Sequence, residues 1–158
     1  MSEALRIRRA VRALVLDPVD RILLVQVAFP SWLGWILPGG GVAAGESDEG
    51  ALRRELAEET GLSGFELGPL IWTREVELRT PGWDGQTERY FLVRSASFEP
   101  VPDLSWQMLN DEYVQDVRWW TIEEIERSLE SFAPSRLAGL LRSLLEDGPP
   151  SETMNVGI

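Results

Sequence analysis

The segment from Pro38 to Leu62 constrains this chain more than any other. Proline removes a backbone donor, and Gly39, Gly40 and Gly41 follow it directly. The short apolar piece Trp35-Ile36-Leu37 is therefore expected to end there. The glycines reach backbone conformations closed to other residues and admit close approach of a ligand. Residues 48–60 then read as a helix. Ser47 is placed to cap it, Asp48 and Glu49 suit its positive first turn, and Gly61 suits its end.

That helix concentrates negative charge. At roughly 100° per residue, Glu59 lies about 40° from Glu55, and Glu58 about 60° to the other side. Like charges at this spacing cost helix stability unless something neutralises them. A bound divalent cation would do so. The chain has no His and no Cys. An oxygen-only donor set suits magnesium, with manganese as a substitute.

Around this segment the pattern alternates between strand and helix. Residues 5–17 read as a strand, with Val11, Ala13 and Val15 on one face and Arg12 and Leu14 on the other. Pro18-Val19-Asp20 marks a turn into a second strand, 21–28, which completes a hairpin. Strands are expected over 70–79 and 88–97, joined by a loop holding Pro81, Gly82, Asp84 and Gly85. A further strand is expected at 116–120. Thr121 and Glu124 form a capping-box pattern for a helix to about Leu129, and residues 135–146 read as an amphipathic helix. The expectation is an α/β domain spanning 1–147, with helices on both faces of a mixed sheet and a flexible tail over 148–158.

Composition excludes several functions. The 158 residues carry 26 acidic against 15 basic side chains, a net charge of -11. A long nucleic acid is a poor partner for such a chain. No apolar run is long enough to span a membrane, and MSEALRIRRA lacks a secretory apolar stretch, so the cytoplasm is the expected location. Without His or Cys, catalysis falls to carboxylates, Arg, hydroxyls or a metal.

The stretch GGVAAGESDEGALRRELAEETGL, Gly40 to Leu62, resembles the Nudix box. Gly40, Glu46, Arg54, Glu55, Leu56, Glu58, Glu59, Gly61 and Leu62 match every box position at the right spacing. The resemblance implies a Nudix-type α/β/α sandwich with the box as loop–helix–loop. It implies magnesium held by Glu55, Glu58 and Glu59, with the Gly39 carbonyl and Glu112, ahead of the Val117-Arg118-Trp119-Trp120 strand, as further ligands. Asp111 and Asp116 compete with Glu112 for that place. Arg54 would orient a box glutamate, while Glu46 and Gly61 would brace the box. Family members are often dimers, so a homodimer is a state the resemblance allows.

The implied activity is hydrolysis of a phosphoanhydride bond in a nucleoside diphosphate derivative by metal-activated water. Glu58 or Glu59 is expected to be essential. The alternative is a regulatory domain that binds a nucleotide without cleaving it. Prolines at 69 and 81 miss the place that would mark ADP-ribose cleavage in this family, which is Leu78 here. A nucleoside triphosphate or another small nucleotide remains as the expected substrate. The chain has seven tryptophans. Of these, Trp32, Trp35, Trp72, Trp83 and Trp106 fall near expected loops or strand ends. Phe29, Trp32 and Trp35, with Gly40, are the preferred substrate-binding candidates. Arg8, Arg9 and Arg12 either reach phosphates or form a solvated strand face, and the solvated face is the preferred reading.

Overall fold

The computed structural model describes residues 4–80 and 82–157, the side chains of 78–80 excepted. Pro81, one of the expected loop residues, and the first three residues lie outside them. The chain runs β1 (Ile7–Leu16), β2 (Ile22–Phe29), β3 (Trp32–Ile36), β4 (Gly39–Gly41), α1 (Asp48–Thr60), β5 (Glu66–Thr80), β6 (Trp83–Arg94), α2 (Trp106–Asp111), β7 (Val114–Trp120), α3 (Ile122–Arg127), β8 (Phe132–Ala133), α4 (Leu137–Asp147) and β9 (Met154–Asn155). One mixed sheet in the order β8-β3-β2-β1-β6-β5-β9 carries them, with β4 added to β1 and β7 to β2.

Strand alternation sorts the core into two layers. Val11, Ala13 and Val15 of β1 pack with Ala51, Leu52 and Leu56 of α1. The other face of β1, through Leu14 and Leu16, joins Ile122 and Ile125 of α3 and Leu137, Leu140, Leu141 and Leu144 of α4. Helices therefore cover both faces of the sheet, the expected α/β/α arrangement. Burial of these side chains supplies the main favourable term for the fold.

The site depends on a split in the sheet. β1 and β2 pair at Leu16–Ile22 and then separate. Farther along, β1 takes β4, and β2 takes β3 and β7. The wedge between the two groups opens beside the glycine strand. On the far side, β1 runs parallel to β6, with Arg8 opposite Gln86 and Ala10 opposite Glu88.

Several boundaries differ from expectation. β5 and β6 are longer than expected, and Thr80 pairs with Trp83 where a broad loop was expected. α2 was not expected, because only Leu109 of its six residues is buried. The segment expected as a flexible tail packs specifically. β9 pairs parallel to β5, the Val156 N–H donates to the Thr73 carbonyl at 2.9 Å, and Val156 is fully buried. One apolar anchor and a short ladder hold a stretch whose polar composition suggested disorder.

Candidate active site

The glycine strand is shaped by what lies against it. Gly39 has φ +146°, and a Cβ there would fall 2.0 Å from the Val11 carbonyl oxygen. Only glycine lets β4 lie this close to β1. At Gly40 a Cβ would stand 2.6 Å from the Glu55 carboxyl, and at Gly41 2.6 Å from the Arg8 guanidinium. The missing side chains make room for one functional group on each side of the strand.

Helix α1 begins and ends as its sequence dictates. The Ser47 hydroxyl accepts from the Gly50 N–H at 3.0 Å. Gly61 closes the helix at φ +80°, and its N–H donates to the Ala57 carbonyl. This fixes the rotation of the acidic face. Arg54 lies over it and donates to both Glu46 oxygens at 2.9 Å, to Glu55 at 2.9 Å and to the Gly41 carbonyl at 3.0 Å. Glu58 stands 3.5 Å from the same guanidinium. Hydrogen bonds from Arg54, then from the Ala43 N–H, hold the Glu46 carboxyl at about 2. Arg54 thus touches both the box glutamate Glu55 and the loop residue Glu46.

Glu59 is different, being only 4% exposed. Burial first, and then the neighbouring Glu55, push its pKa well above the usual carboxylate range. The Gly39 N–H approaches it at 3.4 Å. Glu58 is also pushed up, by burial first and then by Glu55, with Glu112 adding to the effect against Arg54. Negative charge is under-compensated here.

A cleft of about 420 Å³ takes in part of this set; Glu46, Arg54 and Glu58 do not line it. Glu55, Glu59, Gly39, Gly40, Phe29 and Glu112 line it, so the structure brings the exposed Glu112 to the box glutamates. Asp111 and Asp116 do not line it. Arg8 and Arg12 also face the cleft. A trench of about 660 Å³, lined by Trp32, Trp83 and Phe132 among others, shares Arg8, Arg12, Phe29 and Ile36 with it. Each volume falls in the range of small-molecule sites, roughly 300–1,000 Å³.

The NUDIX domain family model matches residues 6–142. The chain belongs to the Nudix hydrolase family. It is 35% identical over 113 residues to proteins named nucleoside triphosphatase NudI from Escherichia coli and Shigella flexneri, covering 68% of this chain and 77% of each relative. The fold resembles a NUDIX hydrolase from Nitrosomonas europaea, with TM-score 0.66, 21% identity and coverage of 91% and 93% of the two chains. It also resembles a MutT protein from Methanosarcina mazei Go1, with TM-score 0.65, 20% identity and coverage of 92% and 98%.

Within this Nudix fold, some expected site residues lie elsewhere. Trp35 is 3% exposed, packs edge-on against Trp120 and donates its indole N–H to Glu130 at 2.9 Å. It is a core residue, not part of the substrate surface. Trp32 and Trp35 are three positions apart on β3, so a strand sends them to opposite faces. Trp72 is likewise buried, at 2% exposure. Trp106 is exposed but lines neither cavity.

The correction at β1 is larger. Arg12 is not solvated: its side chain is 12% exposed and pairs with Glu88 at 2.9 Å. Its guanidinium also donates to the Gly39 carbonyl at 3.1 Å, using one lone pair of an expected metal ligand. Arg9 does face out, pairing with Asp48. Glu88 accepts further from Arg74 at 2.6 Å, Tyr90 at 2.9 Å and Gln86 at 3.1 Å. None of Arg74, Gln86, Glu88 or Tyr90 was expected at the site. Alternation along 86–90 was the available signal, since it places Gln86, Glu88 and Tyr90 on one strand face.

Proposed function

We propose that this chain hydrolyses a phosphoanhydride bond of a nucleoside triphosphate or related small nucleotide with the help of a divalent cation. One observation carries the reading: the carboxylate cleft on the box helix shares Arg8, Arg12, Phe29 and Ile36 with a trench that holds Trp32, Trp83 and Phe132. Phosphates fit the first and a base fits the second. The relatives named nucleoside triphosphatase support this substrate class. Among the described residues no helix is long and apolar enough to cross a membrane, and the proposal places the enzyme in the cytoplasm.

As placed, Glu55 and Glu58 turn toward Arg54, and among the described residues no three acidic side chains gather into a ready cation cluster. The donors are all oxygens, however, and burial first, then the neighbouring Glu55, raises the pKa values of Glu58 and Glu59, leaving negative charge that a cation would neutralise. We therefore take Glu55, Glu58, Glu59, Glu112 and the Gly39 carbonyl as the groups that would hold magnesium or manganese. When bound, such an ion neutralises phosphate oxygens and lowers the pKa of a water.

The remaining roles belong to side chains. Arg54 holds the Glu55 carboxylate against Gly40 and fixes its direction. Glu46 locks Arg54 in place. Glu58 or Glu59 accepts the proton of the attacking water on a carboxylate oxygen, as its raised pKa suits. Phe29, Trp32 and Trp83 flank the base.

The test is hydrolysis of canonical and oxidised nucleoside triphosphates, nucleotide sugars, ADP-ribose and dinucleoside polyphosphates, with magnesium, with manganese and with chelator. Turnover of a triphosphate is expected, lost in chelator. Glu58→Gln and Glu59→Gln should each lower kcat by about 10²–10⁴-fold while melting remains cooperative. Tight binding without turnover of any compound would replace the enzyme with a nucleotide-binding regulatory module.

A further inference from the structure

The buried network on the β1/β6/β5 face leaves one cation uncommitted. Arg8, Arg12 and Arg74 contribute three positive charges, and Glu88 one negative charge. Glu88 is shared between Arg12 and Arg74. Arg8 is half-buried, and its partner is neutral: its Nη1 donates to the Gln86 Oε1 at 2.6 Å. Among the described residues it forms no ion pair. Burial, and then Arg12, lower its pKa and outweigh the opposing pull of Glu55 and Glu88.

Its placement is determined from two sides. The bare face of Gly41 lies against the guanidinium. The parallel register sets Arg8 opposite Gln86, and the Gln86 amide nitrogen is anchored on Glu88. Gln86 is thereby held with its oxygen toward Arg8. Arg8 lines both the carboxylate cleft and the aromatic trench. A ligand with phosphates in the cleft and a base in the trench would run beside it.

We propose that Arg8 binds a non-reacting phosphate of the nucleotide, with Gln86 as its positioning residue. The proposal rests on the nucleotide reading above. A planar guanidinium offers two parallel donors to a phosphate. A neutral amide holds the fork in place without consuming its charge. A carboxylate at residue 86 would hold it equally well but would leave less charge for the ligand.

The experiment uses the full chain in a Glu58→Gln background with magnesium, titrated calorimetrically with inorganic tripolyphosphate. Adding Arg8→Gln should weaken binding by about ten- to hundredfold, the scale of a charge-assisted hydrogen bond. Arg8→Lys should recover part of it. Gln86→Glu, nearly the same shape, should weaken binding although Arg8 remains. On the active chain, Arg8→Gln should raise KM for the nucleotide that is turned over and leave kcat nearly unchanged, because such a contact is made before and during reaction. Unchanged affinity in Arg8→Gln, or no tripolyphosphate binding by the Glu58→Gln parent, overturns the proposal. Normal nucleotide turnover with Arg8-independent KM and binding removes Arg8 alone. Arg8-dependent binding without any turnover removes the hydrolase reading instead.

Discussion

Two arginine–carboxylate knots flank the cleft, built in opposite senses. On the helix side one guanidinium, Arg54, serves Glu46, Glu55 and Glu58. On the sheet side one carboxylate, Glu88, serves Arg12 and Arg74. The first leaves a surplus of negative charge and the second a surplus of positive charge. They differ in depth as well. The Arg54 side chain is 37% exposed, whereas that of Glu88 is 4% exposed. The same pair of functional groups is therefore a solvated clamp in one place and a buried structural element in the other. Breaking the clamp should change geometry, while breaking the buried knot should change stability.

The largest expected effect follows from that depth. Glu88→Ala leaves two buried guanidiniums without their counter-charge, which costs about 3–5 kcal/mol. Arg54→Ala should cost no more than about 1 kcal/mol, as exposed pairs do. Urea unfolding of both variants measures the contrast. Equal losses would mean that the two knots do not differ in kind.

Acid unfolding sharpens the same contrast. Burial raises the pKa of Glu88, but Arg12 and Arg74 together outweigh it and hold the carboxyl at about 2. A carboxylate depressed on folding contributes stability that is complete above its ordinary value. That contribution disappears as pH falls through the folded value. For Glu88 the window runs from about 4.5 down to about 2, and the contribution is on the order of 3 kcal/mol. Urea midpoints between pH 6 and pH 3 should fall steeply in the native chain and much less in Glu88→Gln. Glu46 is also held at about 2, yet its side chain is 20% exposed against 4% for Glu88. Glu46→Gln should retain most of the acid limb. An unchanged limb in Glu88→Gln would show that the buried knot does not govern acid stability.

The two knots also differ in how far they can be read from sequence. The helix-side knot is local. Glu46 to Glu59 span one loop and one helix, and 3.6-residue periodicity fixes which carboxylates share a face. The sheet-side knot joins residues far apart in the chain: Arg12 and Glu88 are separated by 76 positions and Arg8 and Gln86 by 78. Their meeting requires β1 to pair parallel with β6, a register that no local pattern encodes. Arg8 and Arg12 therefore looked like a solvated face. Trp35 was misplaced for a different reason. Its segment was read as a fragment beside the glycines, not as a strand whose alternate side chains point apart. The end of the chain misled because one buried side chain, Val156, outweighs a polar surrounding. The two-faced α/β layering was legible because alternation in β1 and the amphipathic spacing of the α4 segment each mark a buried side.

The smallest expected effect isolates geometry from charge in the helix-side knot. Arg54→Lys keeps the positive charge but loses the planar fork that reaches Glu46, Glu55 and the Gly41 carbonyl together. An ammonium has no two parallel donors to give Glu46 while still holding Glu55. Unfolding free energy should change by less than about 1 kcal/mol, because the site is partly solvated. Hydrolysis should still fall by about ten- to hundredfold, the usual cost of disturbing a group that orients metal ligands, if the proposed metal site holds. The magnesium concentration needed for half-maximal rate should rise in parallel. Native rate and native magnesium dependence in Arg54→Lys would mean that charge alone, without the fork, sets the carboxylates. The helix-side knot would then be a matter of charge balance, as its sheet-side counterpart is.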